Sequence, residues 1–462
     1  MERTNAQILE ALRRYRESTE NGIVVFYGDP YIDQSAILAA LVRDRVAFSY
    51  AAQCASDREQ RRLFLSRLKG MGVSFTEPED QIGWNTLLHR LTDSLPAGEK
   101  LLLLFDRFEH FFYEDSGFLH ALTDLVREPS LSGRLLILLI SGAEVWVENS
   151  FVERAGRDAS AISGFVKCRE NRYSELRKHF PELSARDAAQ LYAVFGGETI
   201  LWEFYDRTLN LKENLCRLFL TNVSPNLREL PMARLKDIVR EPAVYSTILA
   251  NLADGREKLG DLYHATGIPR AKLSVYIRTL MAPSFVEKVF SFGTVGSALT
   301  KKGTYRIRNA FFRFYYTAIY PNESILRAVG ADKFYDLYLT PALTEVTAVQ
   351  FKRICMEYIE QLDEQGRLPF VIEEEGEWNG KAGSIDIVAE SDTGETLVGM
   401  CSYRNILTED DYHFLLTYAK QAGLSPDHCY LFSGQGFSRE LTLAARNVAG
   451  LHLIGWKELE HV

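Results

Sequence analysis

The sequence predicts an α/β fold with a parallel sheet in its first third, then a helical segment, a winged helix and a separate C-terminal α+β unit. Three observations carry this. Strand-length apolar runs alternate with helix-period segments up to Gly142; this pattern requires crossover helices between parallel strands. A helix-turn-helix pattern and a strand pair then follow inside a basic window. The rest of the chain carries paired strands around a short turn between helical segments.

Taken in order, "IVVFYG" is a strand, "SAILAALVRD" a helix, "VAFSYA" a strand, "DQIGWNTLLHRLTDSL" a helix, "KLLLLFDRF" a strand, "FLHALTDLVRE" a helix and "GRLLILLISG" a strand. Ligands of such sheets bind beyond the strands' carboxyl ends, which here are "YGDP", "FDRFE" and "SGAEV". From Gly164 to Arg240 helical periods take over, broken at Gly196–Gly197. In Glu241–Ile307 one helix is followed by "KLGDLYHATG", a "GIP" turn and "RAKLSVYIRTLM", with "SFVEKVFSF" and "GTYRIR" as the wing. "NAFFRFYYTAIYPN" is aromatic at helical spacing and reads as packing. "VTAVQFKRICMEYIEQL" is a helix, "GSIDIVAES" and "ETLVGMCSYR" are paired strands, "DDYHFLLTYAKQAG" is a helix, and "HCYLFSG" and "LHLIGW" are strands. "EEEGEW" reads as a solvated turn or strand edge.

The chain of 462 residues has room for roughly two to four domains. The segmentation gives residues 1–163 as the parallel-sheet domain, 164–240 as a helical lid, 241–325 as the winged helix and 326–462 as the last domain. No apolar run approaches the roughly 20 residues of a membrane span, so no membrane association is expected. The charged N-terminus has no apolar signal core, so a cytoplasmic location is expected. The six cysteines form no CxxC pair and read as buried thiols in a reducing compartment. Net charge is −9, yet Arg256–Tyr316 holds eleven Lys or Arg against three acids. A basic window in an acidic chain points to nucleic acid, through Arg270, Lys272, Arg278, Lys301 and Lys302. The mixed spacing on the recognition-helix candidate means that Arg270, Ser274, Ile277 and Arg278 cannot all face one groove.

The first strand-to-helix turn is where a phosphate loop, G-x-x-x-x-G-K-[ST], would lie. Gly28 fills its first position and Ser35 its last, while Asp33 and Gln34 stand where Gly and Lys belong. Losing the lysine and gaining acids makes the loop hostile to polyphosphate. Asp106 ends a later strand in the magnesium-binding position, followed by Arg107 where a catalytic Glu is expected, with Glu109 two residues further on.

"NGIVVFYGDP...SAILAAL", "LLLLFDRFEHFF", "LLILLISGAEVW", "FGGETILWEFYD", "EPAVYSTILANLA", "TYRIRNAFFRFYYTAIYPN" and "IDIVAESDTGETLVGMCSYR" stand in the order and rough spacing of the archaeal-type ATPase family, which the chain resembles over nearly its whole length. That resemblance implies an AAA/STAND-like P-loop NTPase domain, a helical lid, a winged helix and a C-terminal restriction-endonuclease-like domain of unknown function. It further implies nucleotide contacts at Gly28, Asp33, Gln34, Ser35, Asp106 and the polar sensor Ser141, with an arginine near Arg154 or Arg157. Catalytic candidates are Asp106 and Glu109. Asn309 and Ala310 depart from the family's Asp-Pro. In the last domain Asp386 remains, but Met400 and Ser402 replace the carboxylate and lysine of the nuclease pattern, and Lys352 stands beside the expected acidic helix position. One carboxylate does not hold a catalytic magnesium. The expectation is therefore a pseudo-ATPase that binds ATP and magnesium weakly or not at all and regulates by binding DNA, a protein partner or itself. The alternative is an ATP-binding switch with a non-standard loop, in which Arg107 supplies the missing charge.

Overall fold

A computed structural model describes residues 5–28, 37–38, 41, 48–96, 100–112, 117–222, 224–294 and 303–460. It comprises two compact units, Met1–Glu170 and Asn171–Val462. Asp33, Gln34, Ser35, Lys301 and Lys302 lie outside the described residues.

In the first unit, β1 (Gly22–Gly28), β2 (Phe48–Ala51), β3 (Leu101–Asp106), β4 (Leu135–Ser141) and β5 (Ile162–Cys168) form one parallel sheet in the order β2-β3-β4-β1-β5. This is the parallel α/β sheet that the alternation of strands and helices predicts. Successive side chains of a strand point to opposite faces, so each central strand feeds two cores. Val24, Phe26, Leu102, Leu104, Leu136 and Leu138 pack with Ile8 and Leu12 of α1 (Asn5–Glu17). Ile23, Val25, Leu103, Phe105, Ile137 and Leu139 pack against α2 (Asp57–Gly70), α3 (Trp84–Ser94) and α4 (Phe118–Arg127) on the other face. Burial on both faces explains why these strands are nearly continuous apolar runs.

The boundary expected at residue 163 needs correction, because β5 runs from Ile162 to Cys168 and pairs with β1 along its length. As an edge strand it is partly solvated, and Ser163, Gly164 and Lys167 break the apolar run that marks the inner strands.

The second unit begins with α5 (Tyr173–His179) and α6 (Ala185–Phe195), which ends at Gly196 with φ +59°. Further on, α7 (Pro242–Ala253), α8 (Leu259–Thr266) and α9 (Arg270–Met281) precede the antiparallel pair β6 (Val286–Val289) and β7 (Thr304–Ile307). Gly267, at φ +69°, ends α8 in the left-handed conformation that glycine tolerates best. After α10 (Thr340–Glu364), a five-stranded sheet in the order β12-β11-β10-β9-β8 is built from β8 (Glu374–Asn379), β9 (Ser384–Glu390), β10 (Thr396–Ser402), β11 (His428–Ser433) and β12 (Leu451–Ile454). Its first three strands are antiparallel and its last three parallel. One face packs on α11 (Glu409–Ala422) and α12 (Arg439–Asn447).

The expected boundaries at 240 and 325 do not separate compact units, since 171–462 is one. The aromatic segment after β7 is the reason. Phe312 stacks on Phe285 at 4.0 Å, Phe314 meets Phe219 at 4.9 Å, and Tyr316 donates to Ser246 Oγ at 3.0 Å. Side chains that serve several segments at once leave no solvated seam between them. Among the described residues no helix is long and apolar enough to cross a membrane.

Candidate functional site

The carboxyl ends of the first sheet bring together part of the expected nucleotide site. Asp106 ends β3, with its Oδ1 accepting the Arg107 N–H at 2.8 Å. Arg107 is held at φ 51°, a left-handed conformation costing a non-glycine residue on the order of 1 kcal/mol. Glu109 follows in a short 3-10 turn and hydrogen-bonds Ser141, the last residue of β4. Burial pushes the Glu109 carboxyl above its ordinary range, and its Oε2 has no partner among the described residues. Asp106, Glu109 and Ser141 thus converge, and Gly28 lies at the adjacent end of β1.

Gly28 has a reason to be glycine that needs no phosphate. A Cβ there would lie 2.5 Å from the Cys168 carbonyl oxygen and 3.1 Å from its Cβ, because β5 runs against β1 at this point. Arg157 is not at a carboxyl end. It precedes β5, whose first residue pairs with Ile23 at the start of β1. Arg154 donates to the Phe112 carbonyl at 2.8 Å. Neither arginine is brought to Asp106 by these contacts.

Sequence reasoning missed Lys167. Its ammonium is 2.9 Å from both Glu144 and Glu148, and the Tyr27 hydroxyl donates to Glu148 at 3.5 Å. Burial alone would lower the Lys167 pKa, but the hydrogen bonds that its ammonium donates to the two carboxylates hold it above its ordinary value. These carboxylates are already matched with a cation belonging to the sheet. The pairing arises from strand order and helix return, so no local motif announces it.

In the second unit Asp386, on β9, lines a cleft of about 650 Å3 with Lys352, Arg306, Glu377, Glu257 and Trp378. Lys352 Nζ reaches Asp386 Oδ1 at 2.5 Å, and the Cys401 N–H donates to Oδ2 at 2.8 Å. Each oxygen of the carboxylate is engaged by the chain itself. Burial would lower the Lys352 pKa, but Asp386 raises it overall. Met400 packs against the core shared with α11 and α12, and the Ser402 hydroxyl donates to the Asn405 carbonyl at 3.0 Å. The structure therefore does not assemble Asp386, Met400 and Ser402 into one polar site. Among the described residues no cluster of three or more His, Cys, Asp or Glu side chains is arranged to hold a metal ion.

The strand pair β6–β7 is fastened to this sheet. Ser291 forms a parallel bridge with Glu377, Phe292 N–H donates to the Glu377 carbonyl at 2.7 Å, and Asn379 N–H donates to Ser291 Oγ at 3.0 Å. Arg306 holds Glu287 and Glu377 together, the latter at 2.8 Å.

On α9, Leu273, Ile277 and Leu280 are buried while Arg270, Lys272, Val275 and Arg278 are exposed. Arg270 lies over the Tyr263 ring at 5.4 Å. Ile277 does not belong to the outer face, and the basic side chains flank that face.

A buried polar junction was also not anticipated. Glu357 Oε2 accepts the Tyr173 N–H at 2.8 Å, and its Oε1 lies 2.7 Å from the Tyr192 hydroxyl, which is also 3.0 Å from the Asn171 carbonyl. Desolvation pushes the Glu357 pKa up to about 7. Beside it Arg172 contacts Glu360 at 2.9 Å and Glu364 at 2.7 Å. Elsewhere in the unit Asn309, at the family's Asp position, accepts from Phe312 N–H at 3.0 Å and donates to Glu198 Oε1 at 2.7 Å, while Arg234 bonds both Glu198 oxygens.

Residues 315–414 match a family described as archaea bacterial proteins of unknown function. An uncharacterized protein of Methanocaldococcus jannaschii is 19% identical over 393 residues, covering 83% of each chain. The Walker-type ATPase of Pyrococcus abyssi is similar at 15% identity and a TM-score of 0.46, covering 68% of this chain and 95% of that one. The Aeropyrum pernix ORC2 protein, solved as ADPNP and ADP complexes, is similar at 11% identity and a TM-score of 0.39, covering 70% and 93%. The matched residues 315–414 overlap the last domain expected from the sequence, 326–462.

Proposed function

We propose that this chain is a protein of the P-loop ATPase class that has lost efficient nucleotide hydrolysis and nuclease chemistry and acts by binding DNA. The observation that carries the reading is the Asp386 carboxylate. Lys352 supplies the positive charge that a nuclease-like site would take from a divalent cation, and Cys401 N–H takes the other oxygen. The first unit supports the same conclusion. Its loop glycine is accounted for by strand packing and Arg107 turns its backbone N–H to Asp106. Burial raises the Glu109 carboxyl above its ordinary range, and its hydroxyl partner Ser141 ends β4.

In this reading α7–α9 with β6–β7 form a winged helix, and Arg270, Lys272 and Arg278 contact the phosphate backbone. A DNA shift assay tests it: affinity should fall steeply between about 50 and 200 mM salt, since phosphate contacts release counterions. Arg278→Ala should weaken binding uniformly across sequences. Micromolar ATP binding by calorimetry with magnesium-dependent turnover, or metal-dependent DNA cleavage, overturns the reading.

The left-handed Arg107 favours one alternative, an ATP-binding switch. A strained non-glycine conformation beside Asp106 is the kind of backbone feature that functional sites maintain. If ATP raises the melting temperature of the wild type and Arg107→Ala abolishes that rise, the switch is the better account.

A further inference from the structure

Cys355 and Cys401 are far apart in sequence and come together at the Lys352–Asp386 pair. Cys355 lies on the buried face of α10, one turn after Lys352, and Cys401 lies on β10, its own N–H on Asp386. α10 packs on β10 here, and each thiol influences the titration of the other. Cys355 is fully buried and Cys401 is partly accessible. Their positions fix an order of events that one isolated thiol could not support.

We propose that Cys355 and Cys401 are a modification site, a dithiol that closes to an intrachain disulfide by exchange with a low-molecular-weight disulfide. The Cys401 sulfur, on the less buried of the two residues, attacks the small disulfide as thiolate, forming a mixed disulfide and releasing one small thiol. The Cys355 sulfur then attacks the Cys401 sulfur and releases the second small thiol. Two protein thiols are oxidised, one small disulfide is reduced to two thiols, and the two protein protons end on those thiols. Burial raises both protein thiols, so the exchange is slow near neutrality and faster at higher pH. The product straps α10 to β10 beside the Lys352–Asp386 pair and closes the chain between residues 355 and 401.

The full-length protein incubated with oxidised glutathione, then digested without reduction, tests this. The expected result is a linked peptide carrying Cys355 and Cys401, an intact mass lower by two hydrogen atoms, and reversal by dithiothreitol. The linked protein should melt higher by on the order of 5 °C, from the constraint on its unfolded chain. Cys401→Ala should abolish both changes, and Cys401→Ser gives a second variant if that one folds poorly. The proposal is overturned if the exposed Cys54 takes up glutathione while Cys355 and Cys401 stay unlinked, or if the link forms only in urea.

Discussion

Replacing Glu357 by Gln should remove a pH dependence of stability without removing a hydrogen bond. The Tyr192 phenol has one proton but sits within bonding distance of two acceptors, Glu357 Oε1 at 2.7 Å and the Asn171 carbonyl at 3.0 Å. A proton on Glu357 resolves this. Glu357 then donates to the phenol oxygen, the phenol donates to Asn171, and Oε2 still accepts the Tyr173 N–H. Burial raises Glu357 from 4.5 to about 7, against the opposing pull of the Arg353 guanidinium at 3.6 Å. The folded state thus binds the proton more tightly than the unfolded one. Its contribution is fully present below the unfolded value of 4.5 and is lost as pH rises through about 7. The shift is worth about 3 kcal/mol at about 1.4 kcal/mol per unit. A glutamine amide reproduces the protonated pattern at every pH. Urea unfolding of both proteins from pH 5 to pH 8 should therefore show wild type losing about 2.5 kcal/mol relative to Glu357→Gln, the rest of the shift lying below pH 5. A difference that stays constant with pH, or that grows in favour of wild type at high pH, refutes the protonated junction.

Three further outcomes follow from packing and charge. Gly28→Ala drives a methyl group into the Cys168 carbonyl and should cost roughly 1–3 kcal/mol in chemical denaturation; unchanged stability would return that glycine to a phosphate role. Asn309→Asp loses the donor to Glu198 and sets two carboxylates together in a buried site, for a loss of about 2–3 kcal/mol at neutral pH that shrinks on acidification. Lys352→Met leaves the partly buried Asp386 with only the Cys401 N–H. Because Lys352 is itself half-exposed, the cost should be about 1–2 kcal/mol by thermal unfolding rather than that of a fully buried pair.

The parts of the fold legible in the sequence are those where one local pattern decides the outcome. The inner strands β1, β3 and β4 are buried on both faces and therefore unbroken apolar runs. In α8 and α9 the apolar period and the Gly-Ile-Pro turn give nearly the observed ends. β5 was illegible because an edge strand with Ser163, Gly164 and Lys167 looks like a loop. Asp106, Glu109 and Ser141 were readable from their places at strand ends, but the burial of Glu109 depends on what packs over it. Lys352 was visible only as a departure from an acidic position; its partner Asp386 is on another element. Glu357 sits among Arg353, Glu360 and Glu364, a sequence indistinguishable from a solvated helix face, and only the packing of α10 against α6 buries it.

The bridge between Ser291 and Glu377 also bears on how the protein behaves at high concentration. β8 is the outermost strand of its sheet, and an outer strand offers unpaired backbone groups on which another chain can grow. Here the chain covers that margin with its own segment after β6, and exposed acidic side chains at Glu374 and Glu375 guard the remainder. Cutting away the β6–β7 hairpin would strip the margin bare, and the truncated protein should associate edge to edge where the intact chain stays dispersed.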